Sequence, residues 1–84
     1  MAAVKKTLTK MRSAPQAVAF RDLVKVCTEY FGPPRQHRSS HMVFRTPWAG
    51  DPRVNIQEGR GGQAKPYQVR QVLKAIERME DDRD

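Results

Sequence analysis

Apolar and polar positions repeat with two different periods along this chain, and the change of period separates helices from strands. Over residues 17–31, Phe20, Leu23, Val24, Cys27, Tyr30 and Phe31 recur at helical spacing. Arg21, Asp22, Lys25, Thr28 and Glu29 fall on the other side. Gly32-Pro33-Pro34 ends that helix, because glycine accepts a left-handed cap and proline cannot continue the backbone bonding. Val69, Val72, Leu73, Ile76 and Met79 repeat the helical period in a last helix, which Pro66 opens at a position proline tolerates. Residues 2–12 give a shorter helical signal, with Val4, Leu8 and Met11 on one stripe, and residues 13–16, with Pro15, read as a break.

Between the helices the period drops to two. Residues 35–38 read as a short edge strand. In residues 41–46, Met42 and Phe44 alternate with His41, Val43 and Arg45. Residues 47–52, with Gly50-Asp51, form a turn, and residues 53–57 return with Val54 and Ile56 alternating against Arg53, Asn55 and Gln57. If the apolar set faces the helices, then His41, Arg45, Arg53, Asn55 and Gln57 share the outer face. Gly59-Arg60-Gly61-Gly62 reads as a flexible connector. The predicted architecture is an α+β domain of order α-α-β-β-β-α, a three-stranded antiparallel sheet packed on helices. Residues 1–84 make one domain, with 1–16 as an N-terminal helical extension and the acidic tail 80–84 as a mobile end.

Eighty-four residues support only a thin core and leave no room for a deep substrate cavity. The formal net charge is +7, and the segment Glu80-Asp81-Asp82-Arg83-Asp84 carries −3 of the balance, so residues 1–79 carry +10. A basic body of this kind favours polyanions, with nucleic acid the usual partner, and an acidic protein would answer the same field. The single cysteine, Cys27, excludes an intrachain disulfide and a cysteine-based zinc site, and its place on an apolar stripe makes it a core residue. No apolar run approaches membrane-spanning length, and no signal-peptide core follows the first lysines, so no membrane partner is expected and the cytoplasm is the expected compartment.

The chemistry concentrates in Arg38-Ser39-Ser40-His41-Met42-Val43-Phe44-Arg45. The chain has two histidines, His37 and His41, and histidine is the side chain that titrates near neutral pH. A histidine among guanidinium groups suits attack on a phosphodiester, and a surface histidine on a strand is the simpler reading of the same residue. His37 is a secondary acid/base candidate. In one continuous strand it would lie about 13 Å from His41, too far to share a phosphate unless the chain bends at Ser39-Ser40. Metal binding by the pair lacks a third ligand, so no metal site is expected. Arg70, Lys74 and Arg78 recur every four residues, as phosphate contacts or as an ordinary solvated helix face. Trp48 and Tyr67 are candidates for stacking on bases, and Trp48 equally for packing against its proline turn.

The order of these features resembles the HicA-type toxins, small ribonucleases of bacterial toxin–antitoxin pairs with a fold like the double-stranded-RNA-binding domain. The resemblance covers about residues 20–79. It rests on a helix ending in an aromatic residue and glycine, an arginine-bearing short strand, Ser40-His41 at the next strand, a hairpin, a glycine-bearing loop and a closing amphipathic helix. Ser39-Ser40-His41 stands where the family has Gly-Ser-His, so serine and histidine match and Ser39 replaces the glycine. Arg53-Val54-Asn55-Ile56-Gln57 is similar to the family's third strand without the proline that often follows it. Lys65-Pro66-Tyr67-Gln68-Val69-Arg70 is similar to the start of its final helix, with Pro-Tyr where Gly-Thr is common.

The resemblance implies metal-independent cleavage of mRNA without a cofactor and inhibition by a HicB-like antitoxin protein. His41 would be the catalytic group. Arg38, Ser40, Arg45 and Lys65 would bind RNA, with His37, Arg53 and Arg70 as secondary candidates. Two rival readings use the same charge: a non-catalytic RNA-binding module, and a basic adaptor for DNA or an acidic protein.

Overall fold

A computed structural model describes residues 2–34, 36–38, 41–46, 48 and 53–83, and of residues 2, 3, 36–38, 82 and 83 it describes the backbone alone. The protein is α+β. Helix α1 spans Ala2–Ser13, α2 Phe20–Phe31 and α3 Pro66–Arg83. The strands β2 (His41–Arg45) and β3 (Arg53–Gln57) pair antiparallel along their full length, from His41 opposite Gln57 to Arg45 opposite Arg53. The backbone of β1 (Gln36–Arg38) lies along the other edge of β2, with Gln36 opposite Val43, His37 opposite Met42 and Arg38 opposite His41. The turn expected over residues 47–52 lies outside the described residues, Trp48 excepted.

One core joins the helices to the inner face of the sheet. Phe44 and Ile56 are completely buried, Val54 is nearly so, and Met42 packs against the same cluster from its margin. α3 contributes Val69, Val72 and Ile76 at its three- and four-residue repeat, with Leu73 only partly covered. α2 contributes Phe20, Leu23, Val26 and Cys27. Val26 lies outside the apolar set that the helical spacing picks out, although it falls three residues after Leu23 and four before Tyr30. Full burial of each such side chain is worth about 1.5–3 kcal/mol, so a residue at the centre of the stripe matters.

Three expectations need correction. Residues 1–16 are not a mere extension: Val4 and Leu8 are buried and Met11 is wholly inaccessible, so α1 is a wall of the core. The second helix starts at Phe20 rather than residue 17. Pro15–Ala17 forms a short 3-10 turn, and Val18 and Ala19 run extended because Ala64 N–H donates to Val18 O at 2.8 Å and Ala19 bridges to Gln63. The glycine connector is a built turn. Gly59 N–H donates to Gln63 O at 2.7 Å, Glu58 bridges to Ala64, and Gly61 and Gly62 take φ of 65° and 77°, a region that costs other residues energy. α3 runs on through the acidic residues to Arg83, since no proline or glycine interrupts it after Pro66. Among the described residues, no helix is long and apolar enough to cross a membrane.

Candidate functional site

The register of β2 and β3 puts His41, Val43 and Arg45 on one face with Gln57, Asn55 and Arg53, opposite the face of Phe44, Val54 and Ile56. His41, Arg45, Arg53 and Asn55 are exposed there, as the alternation predicts, and Gln57 is half-buried. Val43 has the same parity yet is buried, so on β2 a covered position separates His41 from Arg45, with the exposed Asn55 across from it on β3.

At one end stands His41, with Arg38 directly across on β1 and Gln57 directly across on β3. Directly opposed Cα atoms in an antiparallel pair lie about 4.5–5.5 Å apart, so an arginine position and a glutamine both border the histidine. His37 sits opposite Met42, one register position away and of the opposite parity. The backbone therefore does not set the two histidines as partners on one face. Ser40, with Ser39, lies outside the described residues.

At the other end Arg45 and Arg53 oppose each other, both exposed. Two arginines directly across a strand pair concentrate positive charge at this end of the face. Arg45 lies four positions along β2 from His41, about 13 Å along the strand.

Lys65 comes from outside the sheet. It precedes α3, and its carbonyl accepts the first helical bonds from Gln68 and Val69 N–H at 2.9 and 3.1 Å. Its ammonium donates to Gln57 Oε1 at 3.1 Å. Gln68, nearly fully buried, accepts from Gln57 N–H through Oε1 at 2.8 Å and donates through Nε2 to the Tyr67 hydroxyl at 3.3 Å. Lys65 and Gln68, at the start of α3, thus converge on Gln57, the position facing His41. Sequence reasoning misses Gln68 because it is polar, although it precedes Val72 by four residues and so lies on the buried stripe.

The other candidates are placed elsewhere. Arg70 and Lys74 are both exposed on α3. The Arg78 guanidinium lies 4.3 Å from the centroid of the Trp48 ring, a cation–π contact that ties Trp48 to α3. Trp48 is half-buried, whereas Tyr67 is 54% exposed. Burial pushes the Cys27 thiol up to about 12, the mark of a core residue rather than a nucleophile. Among the described residues, no three His, Cys, Asp or Glu side chains gather as a metal cluster. No family model, curated protein or solved structure matches the chain.

Proposed function

We propose that this protein is an RNA endonuclease of the HicA-like kind, with a domain like the double-stranded-RNA-binding fold, acting as a toxin on mRNA in the cytoplasm. The observation that carries this reading is the exposed His41 at the start of β2, directly across from Arg38 and bordered by Lys65 through Gln57. A histidine with an arginine position across one strand and a lysine held at the residue across the other suits a phosphodiester. In the reaction a base takes the proton of the ribose 2′-OH, and the 2′-oxygen bonds to the adjacent phosphorus. The bond from phosphorus to the 5′-oxygen breaks, and an acid supplies that oxygen with a proton. His41 fills one of these two proton-transfer roles. Arg38 and Lys65 offset the negative charge that grows on the phosphoryl oxygens, and Arg45 with Arg53 holds a phosphate farther along the strand.

A cleavage assay on an oligoribonucleotide carrying one deoxyribose at the scissile position tests this. Cleavage there stops because the nucleophile is gone, and the unmodified RNA yields a 2′,3′-cyclic phosphate and a 5′-hydroxyl. EDTA leaves the rate unchanged. Products with a 5′-phosphate contradict the mechanism, and binding with no cleavage makes the protein an RNA-binding module instead.

The same reading includes control by an acidic HicB-like antitoxin. The +10 of residues 1–79 speeds encounter with such a partner more than it sets final affinity. Co-purification with a small acidic protein that suppresses RNA cleavage is the expected result. A partner that binds and leaves cleavage intact refutes occlusion of His41.

A further inference from the structure

We infer that the first turn of α3 builds a nucleotide subsite beside His41, in which Lys65 grips a phosphate and Tyr67 stacks the base of a single-stranded RNA. The inference rests on the nuclease reading for its ligand, RNA, but stands on its own geometry.

Lys65 and Gln68 reach the same residue by different atoms. Lys65 Nζ bonds Gln57 Oε1 at 3.1 Å, and Gln68 Oε1 bonds Gln57 N–H at 2.8 Å. Gln57 stands across from His41. The start of α3 is therefore pinned to the end of β3 at the position that faces the candidate acid or base. An ammonium has three donors, so the bond to Gln57 fixes Lys65 and leaves two donors for phosphate oxygens.

Tyr67 follows two residues later. Its hydroxyl accepts from Gln68 Nε2 at 3.3 Å, which fixes one end of the side chain, while 54% of the residue remains exposed. It is the large hydrophobic residue left most open among the described residues. A ring held at its tip and open to solvent is a stacking platform, and stacking is tolerant of base identity. Trp48, the other aromatic candidate, faces the Arg78 guanidinium at 4.3 Å and is half-buried. The structure thus separates two residues that the sequence leaves equivalent.

A duplex keeps its bases stacked on one another, so this subsite selects single strands. Binding of a fluorescent 2′-O-methyl oligoribonucleotide, which offers no free 2′-OH for cleavage, tests it on the full chain. Tyr67→Ala weakens binding about 5- to 150-fold, the range of aromatic–base stacking, while Tyr67→Phe, which keeps the ring and gives up only the bond at its tip, retains most of the wild-type affinity. Lys65→Gln lowers the slope of log affinity against log salt by about 0.7, one phosphate on a single strand. Circular dichroism melts show that each variant is folded.

Wild-type affinity in Tyr67→Ala overturns the subsite, and so does equal loss in the Phe and Ala variants, which assigns Tyr67 a structural role through its hydroxyl. Preference for duplex over single strand overturns it as well. These failures are separate from that of the nuclease reading, which falls if unmodified RNA is bound through Tyr67 and never cleaved.

Discussion

Met11→Ala is the sharpest probe of how this small domain is held together. Met11 has no accessible surface and lies in the cluster that contains Leu8, Leu23 and Ile76. Truncation removes its thioether arm from a packed site and leaves a cavity. Substitutions of this type cost about 2–5 kcal/mol, depending on how far the walls collapse. A domain of 84 residues has a total stability of only about 4–13 kcal/mol by the usual per-residue range, so the loss is a large share of the whole. At about 4–8 °C per kcal/mol, the melting temperature falls by at least about 8 °C. Urea unfolding followed by circular dichroism measures it, with Arg12→Ala, an exposed neighbour on α1, as the control. The account requires a clear drop in midpoint for Met11→Ala and none for Arg12→Ala. A loss below about 1 kcal/mol for Met11→Ala would mean that α1 is an appendage and that the core closes without it.

Other outcomes follow from the same packing. The Cys27 thiol, raised by burial from 9.0 to about 12, resists alkylation in native protein and reacts in denaturant. Its folded pKa lies above its unfolded one, so its contribution to stability is complete below pH 9.0 and is lost as pH rises towards about 12. Cys27→Ala should therefore flatten the fall in stability over that window, and an identical slope in both proteins contradicts the burial. Gln68→Leu leaves Gln57 N–H without its 2.8 Å acceptor, which costs about 1–3 kcal/mol and speeds hydrogen exchange at that amide. Unchanged protection of Gln57 would show that Gln68 does not hold that amide.

Much of the fold is legible in the sequence because period is a direct record of which side chains face the core. The alternation of Met42 and Phe44 with His41, Val43 and Arg45 sets the inward face of β2, and a slip of one residue in the pairing would reverse it. His41 does share its face with Arg45, Arg53, Asn55 and Gln57. What escapes the sequence depends on long-range contacts. The extended Val18-Ala19 segment owes its shape to Gln63 and Ala64, far along the chain, and local helical propensity carries no trace of that. The run Gly59–Gly62 reads as loose because glycines permit many conformations, and the bond from Gly59 N–H to Gln63 O selects one. Around His41, the basic residues are visible in the sequence but their arrangement is not. Lys65 is remote from His41 along the chain and meets that end of the sheet through Gln57. Gln68, a polar residue on an apolar stripe, reads as an interruption although it holds the strand end. The separation of Arg45 from the histidine end, and the opposite parity of His37, likewise depend on strand pairing rather than on spacing along the chain.

The central claim is that His41 carries out proton transfer in RNA cleavage, and the most direct measurement compares purified wild type with His41→Ala on one single-stranded RNA, with melting curves taken in the same buffer. His41 is exposed, so its replacement leaves the fold intact. The account predicts an unchanged melting temperature, retained RNA binding, and a cleavage rate lower by about 100- to 10,000-fold. A folded His41→Ala protein that cleaves RNA at the wild-type rate contradicts it.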